Sequence, residues 1–241
     1  MDYPAVTTRP AIDVRNLCVT YPDGRLALND VSFSVHVGGS AAILGANGAG
    51  KSTLLLALVG VLPASGAIRF DGLCLSDKTL REIRRRAQLV FQDPNDQLFM
   101  PVVRDDVAFG PLNFGVPRDE VPELVESSLA AVGLAGFEER SPHNLSLGER
   151  KRVALATTLA CSPDVLLLDE PSAGLDAPGR RQLVGLLKGL GATKLIATHD
   201  LALAADLCTD AIILSAGSVA AAGPIGRLLS DADLLHSCGL S

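Results

Sequence analysis

The chain lacks any apolar segment long enough to cross a membrane. Its two most apolar stretches, residues 54–64 and 211–223, are shorter than the roughly 20 residues that a bilayer-spanning helix needs, and both contain glycine, serine or proline. The first ten residues, MDYPAVTTRP, also lack the early basic region and the apolar core of a signal peptide. We therefore expect a cytoplasmic protein without a membrane span.

An excess of basic charge is also missing. The 241 residues include 21 Lys and Arg against 27 Asp and Glu, which gives a net charge of −6. This balance disfavours a large nucleic-acid-binding surface, so no nucleic-acid partner is expected. The basic run at residues 81–86 is predicted to form the solvated face of a helix rather than a phosphate-binding patch. With 48% hydrophobic and 20% charged residues, the composition indicates a folded globular protein: one α/β domain, or a core with a smaller subdomain.

Paired cysteines are absent as well. The chain has five cysteines, an odd and scattered set in which none follows a C-x-x-C spacing. We expect buried free thiols rather than a zinc site or disulfides. These residues are Cys18, Cys74, Cys161, Cys208 and Cys238.

A complete phosphate-binding pattern is present. Residues 45–53, GANGAGKST, match G-x-x-x-x-G-K-[ST] at Gly45, Gly50, Lys51 and Ser52. The apolar stretch 41–44 predicts a buried strand and residues 51–59 a helix, so the glycines fall at a strand-to-helix turn. Such a turn wraps phosphates with backbone N–H groups, and glycine is needed because a β-carbon would obstruct the loop. The alternative is a plain glycine-rich turn that ends a strand.

The pattern predicts a role for each polar residue of the loop. Lys51 is expected to reach the outer phosphates of a nucleoside triphosphate, and the Ser52 hydroxyl to bind Mg²⁺. The other nucleotide-binding residues predicted in this loop are Asn47, Gly48, Ala49 and Thr53.

Three further apolar runs end in polar residues. Residues 87–91 end at Gln92, residues 165–168 at Asp169 and Glu170, and residues 195–198 at His199. Strands buried on both faces of a parallel sheet have continuous apolar runs, and ligands bind beyond the carboxyl ends of such strands. With the strand before Gly45, four strands are therefore predicted to direct their polar ends towards one crevice.

These strand ends supply the candidate catalytic residues. Asp169 is predicted to hold Mg²⁺ with Ser52; its alternative role is to cap the following helix. Glu170 lies beside the metal, where it would orient and deprotonate the attacking water. His199 suits a hydrogen bond that senses the γ-phosphate, with a purely structural histidine as the alternative. Taken alone, the amide of Gln92 indicates only a loop contact.

A helix is predicted to begin within residues 144–152, NLSLGERKR, and to reach about residue 160. Ser146 and Glu149 have the spacing of a capping box, in which each side chain satisfies a free backbone donor of the first turn. Ser146 and the bare backbone of Gly148 could equally be offered to a phosphate. Both interpretations can hold together.

From about residue 12 to residue 223 the motifs resemble, in family order, those of the ATP-binding subunit of ABC transporters. They are the Walker A loop at 45–53, the Q-loop at Gln92, the signature LSLGER, the Walker B motif at 165–170, the D-loop SAGLD at 172–176 and the switch histidine His199. The resemblance implies that Tyr21 stacks on adenine, that Gln92 joins the metal site and catalysis, and that Asp176 and the signature contribute to ATP binding.

The resemblance also implies the architecture. We expect an α/β P-loop NTPase fold with a RecA-like parallel sheet flanked by helices, formed by 11–96 and 161–225. The early strands and residues 68–75 would form a small antiparallel β subdomain, residues 97–160 an inserted helical subdomain, and 226–241 a C-terminal tail. In this family two ATPase subunits pair head to tail, and each ATP with Mg²⁺ lies between the Walker A loop of one and the signature of the other.

The signature departs from the usual LSGGQ, with Leu147 at a glycine position and Glu149 at a glutamine position. A carboxylate near a triphosphate is unfavourable unless it turns away, for example into the capping-box bond.

Residues 91–116 resemble more narrowly the energy-coupling-factor importers of cobalt, nickel or vitamins. In that type the segment after the Q-loop contacts an integral membrane partner, which implies a protein attached peripherally to the inner face of the cell membrane. The apolar residues that would form this contact, or alternatively pack inside the helical subdomain, are Leu98, Phe99, Met100, Phe109 and Phe114.

Other functions remain open from the sequence. They are a soluble ABC ATPase of the iron–sulfur assembly type and the ATPase of a conventional ABC transporter. A GTP-binding switch is disfavoured because no Asn-Lys-x-Asp sequence occurs. The sequence does not identify the transported substrate, and a homodimer and a heterodimer fit it equally well.

Overall fold

The computed structural model describes residues 9–240, so most of the segment used to predict the absence of a signal peptide lies outside the described residues. The strands are β1 Pro10–Thr20, β2 Leu26–His36, β3 Ser40–Leu44, β4 Ser65–Phe70, β5 Leu73–Cys74, β6 Ala87–Val90, β7 Val165–Asp169, β8 Thr193–Thr198, β9 Asp210–Ser215 and β10 Ser218–Pro224. The helices are α1 Lys51–Leu58, α2 Leu80–Arg86, α3 Val103–Phe114, α4 Val121–Ala131, α5 Leu147–Leu159, α6 Ala177–Gly189, α7 Leu201–Leu207, α8 Ile225–Leu229 and α9 Ala232–Ser237.

The main sheet has six strands in the order β10-β9-β3-β8-β7-β6. The strands from β9 to β6 run parallel, and the apolar runs predicted to be buried strands form β3, β6, β7 and β8. The predicted parallel sheet is thus confirmed, with one correction: β10 pairs antiparallel with β9, so the sheet is mixed. A tight turn at Ala216 and Gly217 joins these two strands, and so short a connection permits only antiparallel pairing.

The second sheet, β2-β1-β4-β5, is antiparallel, as expected for the small β subdomain. Its apolar side chains pack with α1 against one face of the main sheet, where Ile43, Leu167 and Leu195 point. The neighbouring residues Ala42 and Leu168 point to the opposite face, because successive side chains of a strand alternate. The main sheet therefore lies between two separately packed apolar clusters, and Ala49 and helix α1 of the phosphate-binding pattern belong to the first of them.

Helices α3, α4 and α5 pack against each other in the chain segment between β6 and β7. Their contacts bury Val107, Leu129 and Val153. Of the five apolar residues with two predicted roles, Leu98 is buried, Met100 and Phe114 are half-buried, and Phe99 and Phe109 are exposed. Packing thus accounts for Leu98, and an exposed apolar surface remains around Phe99 and Phe109.

Within residues 9–240, no helix has the length and apolar character to span a membrane. The five cysteines are free thiols, as predicted. The expected burial is confirmed for Cys208 and Cys238, whereas Cys18 and Cys161 are only half-buried. It is wrong for Cys74, which is exposed at the end of the short edge strand β5. Helix α2 confirms the helix predicted for the basic run, although Arg84 is partly buried and donates to the carbonyls of Val59 and Gly60.

Candidate active site

The loop between β3 and α1 is shaped by its glycines. A β-carbon on Gly45 would lie 2.7 Å from the Leu214 carbonyl oxygen, and one on Gly50 would lie 2.8 Å from a methyl group of Leu28. Gly48 and Gly50 also have φ angles of 82° and 106°, a left-handed conformation that strains other residues. Helix α1 begins immediately afterwards without a side-chain cap, so its first N–H groups are left to a ligand.

Lys51 lies at the centre of this loop. Its Nζ donates to the carbonyl oxygens of Gly45, at 2.7 Å, and Ala46, at 3.3 Å. The same nitrogen lies 3.4 Å from Glu170 Oε1, and only 7% of the Lys51 side chain is exposed. The positive charge is therefore fixed at the mouth of the loop, where an anionic group bound by the loop would meet it.

Asp169, the last residue of β7, is buried with 8% exposure. Burial raises the pKa of its carboxyl group, and a hydrogen bond with the Ser52 side chain acts in the opposite direction. Its Oδ1 has no hydrogen-bond partner among the described residues. A buried carboxylate oxygen without a partner is costly unless a cation occupies it, and an adjacent hydroxyl is a second oxygen ligand. Asp169 and Ser52 therefore fit a divalent cation such as Mg²⁺.

Glu170 is held by donors from the end of β8. Its Oε2 accepts from Thr198 Oγ1 at 2.9 Å, and its Oε1 accepts from the backbone N–H of His199 at 3.1 Å and lies 2.8 Å from His199 Nδ1. Its own N–H donates to the Ala197 carbonyl, which continues the pairing of β7 with β8. The residue is 5% exposed, so the carboxylate is fixed in one orientation rather than solvated.

These groups line one cleft of about 560 Å³, a volume within the range of small-molecule sites. The predicted site residues that it brings together are Tyr21, Asn47, Gly48, Gly50, Lys51, Ser52, Thr53, Gln92, Glu170 and His199. Gly45, Ala49 and Asp169 are buried and do not line the cleft themselves. The prediction that four strand ends meet at one crevice is thereby confirmed.

One wall of the cleft combines predicted and unpredicted residues. The Tyr21 hydroxyl is hydrogen-bonded to Thr53 Oγ1 at 2.9 Å, and the Arg25 guanidinium lies 4.9 Å from the centre of the Tyr21 ring. The sequence analysis missed Arg25; its signal is the Pro-Asp-Gly turn, which returns the chain so that the Tyr21 N–H bonds the Arg25 carbonyl. It also missed Leu26, Ala27, Ala216 and Gly217, which line the cleft without any local motif.

The signature lies elsewhere on the chain. Glu149 Oε2 accepts from the Ser146 backbone N–H at 2.8 Å and from its hydroxyl at 2.7 Å, while Ser146 Oγ accepts from the Glu149 N–H at 3.3 Å. The predicted capping box is therefore confirmed, and its hydrogen bonds lower the pKa of the Glu149 carboxyl group. Asp176 caps α6 by accepting from the Gly179 N–H at 2.8 Å. Ser146, Gly148, Glu149 and Asp176 do not line the cleft described above.

Fold and site together define a class of protein. The glycine loop follows β3, β8 lies between β3 and β7, and the acidic pair ends β7, which is the arrangement of a P-loop ATPase. The added antiparallel sheet and the helices between β6 and β7 give it the ABC ATPase architecture.

Comparison with known proteins identifies the family. The model of the ABC transporter family matches residues 28–173, and the chain belongs to this family of ATP-binding, ATP-hydrolysing subunits. A protein of Geobacter sulfurreducens, named as a candidate ABC transporter ATP-binding protein, is 50% identical over 230 residues, 95% of this chain and 92% of that protein.

Two further relatives are of a named type. The energy-coupling factor transporter ATP-binding protein EcfA of Carboxydothermus hydrogenoformans is 44% identical over 234 residues, 95% of this chain and 86% of that protein. The solved structure of CbiO1 from Clostridium perfringens, part of the ABC transporter complex CbiONQ, superimposes with a TM-score of 0.83. It is 36% identical and covers 96% of this chain and 95% of that one.

Proposed function

We propose that the chain is the ATP-hydrolysing subunit of an energy-coupling-factor importer for cobalt, nickel or a vitamin. Two observations support this type: the similarity to EcfA and CbiO1, and the exposed aromatic surface beside the loop after Gln92. In this arrangement the protein is bound to the inner face of the membrane through integral membrane subunits.

In the proposed hydrolysis, Lys51 and the N–H groups of residues 47–53 bind the phosphates of ATP. Ser52, Asp169 and Gln92 would hold Mg²⁺, which would neutralise charge on the phosphates. The Glu170 carboxylate accepts a proton from water as the water oxygen bonds the γ-phosphorus and the bond to the ADP oxygen breaks. His199 is hydrogen-bonded to Glu170, which supports a role in keeping that carboxylate in place. Its proposed second role is to sense the γ-phosphate.

The proposed working unit is a dimer. The cleft binds adenine against Tyr21, beside the Arg25 guanidinium. Ser146 and Gly148 start α5 outside the cleft of their own chain, and Asp176 starts α6 there too. We infer that these residues complete the cleft of a second ATPase subunit. The Ser146 hydroxyl donates to Glu149 and must break this hydrogen bond before it can donate to a phosphate. Breaking the bond adds to the free-energy cost of nucleotide binding by this signature.

The proposed partner surface consists of Phe99, Phe109 and Leu112. Their exposures are 60%, 44% and 44%, and the two phenyl rings meet edge to face with centroids 5.0 Å apart. Asp106 fixes the backbone that carries Phe99, because its Oδ1 accepts from the N–H groups of Phe99 and Met100 at 3.0 Å. A preformed, exposed aromatic pair near a nucleotide-responsive loop fits an apolar helix of a membrane partner.

The test is a double substitution, Phe99→Ser with Phe109→Ser. We expect recovery of integral membrane subunits and substrate uptake to fall sharply, while the melting temperature and the ATP affinity of the isolated chain stay near wild type. Val61→Ser is the matched control, since Val61 is 53% exposed in the turn after α1, away from this surface.

Normal recovery of membrane subunits with the double variant would refute the proposed surface. Recovery of soluble proteins alone with the wild-type chain would refute the transport function and favour a soluble ABC ATPase.

A further inference from the structure

A buried lysine on helix α5 is hydrogen-bonded to two other segments of the chain, the loop at Gln92 and the residues that follow β7. Lys151, in the second turn of α5, is 6% exposed. Its Nζ donates to the carbonyl oxygens of Gln92 at 3.1 Å, Glu170 at 3.2 Å and Pro171 at 3.2 Å. An ammonium group has three protons, so each finds one acceptor here.

This arrangement is energetically demanding. Burial lowers the pKa of Lys151, and the negative charges of Asp93, Glu170 and Asp169 act against that shift. A neutral side chain at this position would leave the three carbonyl oxygens without this donor, and an unsatisfied buried polar group costs about 1 to 3 kcal/mol. The ammonium group therefore holds the three backbone segments in one relative position.

The segments that meet at Lys151 belong to different parts of the site. Gln92 and Glu170 line the cleft, whereas α5 begins with the signature outside it. A second link reinforces the first: Gln97 Nε2 donates to the Ala154 carbonyl at 2.8 Å and to Thr157 Oγ1 at 2.7 Å, both on α5. The loop 92–97 is thus attached to α5 at both of its ends.

We propose that Lys151 is a positioning residue for ATP hydrolysis, which fixes the backbone at Gln92 and Glu170 relative to the signature helix α5. It does not line the cleft, so its loss leaves nucleotide binding largely intact. It acts on turnover, because Glu170 and the loop at Gln92 must hold their positions as the γ-phosphate reacts. The same bonds carry a displacement of the loop at Gln92 to α5.

The chain contains a matched control for the purely structural explanation. Lys194, on β8, is also a buried lysine, with 7% exposure and a pKa lowered by burial. Its Nζ donates to the carbonyl oxygens of Leu190 and Ala192, at 2.6 and 3.1 Å. Lys194 lies at the end of β8 opposite Thr198, away from the cleft, so its loss tests stability alone.

The experiment compares the full-length wild-type chain with Lys151→Met and Lys194→Met, under conditions in which the wild type hydrolyses ATP. We expect both variants to lower the melting temperature. Lys151→Met should lower kcat by about 10- to 100-fold, since a misplacement of about 1 Å can cost about 100-fold. Its Kd for ATP should remain within about threefold of wild type. A loss of about 1.4 kcal/mol in binding free energy would instead raise the Kd tenfold. Lys194→Met should keep both kcat and Kd.

Equal effects of the two variants on kcat, or a loss of ATP binding as large as the loss of turnover in Lys151→Met, would overturn the proposal. Lys151→Gln is the second variant if Lys151→Met does not fold: its shorter side chain has two amide protons for three carbonyl oxygens, so at least one of them loses its donor. A kcat lower than that of Lys194→Met with a near-normal Kd supports the proposal, and a kcat equal to that of Lys194→Met refutes it.

Discussion

Replacing Glu170 with Gln is the sharpest test of the proposed chemistry. The amide has nearly the same size, and its oxygen can still accept from the His199 backbone N–H, which lies 3.1 Å from Oε1 in the wild type. The amide nitrogen can donate to Thr198 Oγ1, which lies 2.9 Å from Oε2. The main contact that is lost is the ion pair with Lys51 at 3.4 Å. We therefore expect little change in fold.

The effect on turnover should be large. An amide can hold a water molecule but does not accept its proton, and a general base commonly contributes about 100- to 10,000-fold to a rate. This range corresponds to a barrier raised by about 3 to 5 kcal/mol. Nucleotide affinity should be retained, because the phosphate-binding loop and Lys51 are unchanged.

The assay is phosphate release at saturating ATP and Mg²⁺, together with a separate measurement of ATP affinity. Asp106→Asn is the matched control, since it also converts a buried carboxylate, 3% exposed, to an amide but lies in α3 outside the cleft. Turnover above about one tenth of wild type in Glu170→Gln would show that another group accepts the proton, because less than about 1.4 kcal/mol would then be lost.

Two further results are expected. Lys51→Ala should weaken ATP binding itself, measured by calorimetry, because it removes the charge held at the mouth of the loop by Gly45; unchanged affinity would contradict this role. Burial raises the pKa of Asp106, so its carboxyl contributes stability at low pH that is lost as the pH rises through the folded-state pKa. Asp106→Asn should therefore be at least as stable as wild type at neutral pH in urea unfolding, with the advantage disappearing on acidification; a loss above about 1 kcal/mol at neutral pH would argue against it.

The strand ends were predictable because their signal is local and strong. Continuous apolar runs indicated strands buried on both faces, and parallel strands share one carboxyl edge, so Asp169, Glu170 and His199 had to lie near the glycine loop. The capping box at Ser146 was predictable for the same reason, since its two partners are three residues apart.

Other features depend on distant parts of the chain. Lys151 lies in the run Glu-Arg-Lys-Arg, which resembles a solvated helix surface, and its burial depends on carbonyl groups 19 to 59 residues away. Leu98 and Phe99 are neighbours of similar hydrophobicity, yet one is buried and the other exposed. The short 3₁₀ turn at 94–96 and the bonds to Asp106 decide this difference, and neither has a periodic signal.

The strand order determines when a newly synthesised chain becomes able to bind nucleotide. β3 is central in the main sheet, but its two neighbours are made much later: β3 ends at Leu44, whereas β8 begins at Thr193 and β9 at Asp210. The space that a β-carbon on Gly45 would need is occupied by the Leu214 carbonyl oxygen, near the end of β9. All the motifs up to His199 can therefore leave the ribosome while the loop still lacks one wall. Until β8 and β9 have been made, the apolar strand β3 has two open edges, the condition in which chains associate wrongly. The sheet, and with it the nucleotide site, therefore closes only near the end of synthesis.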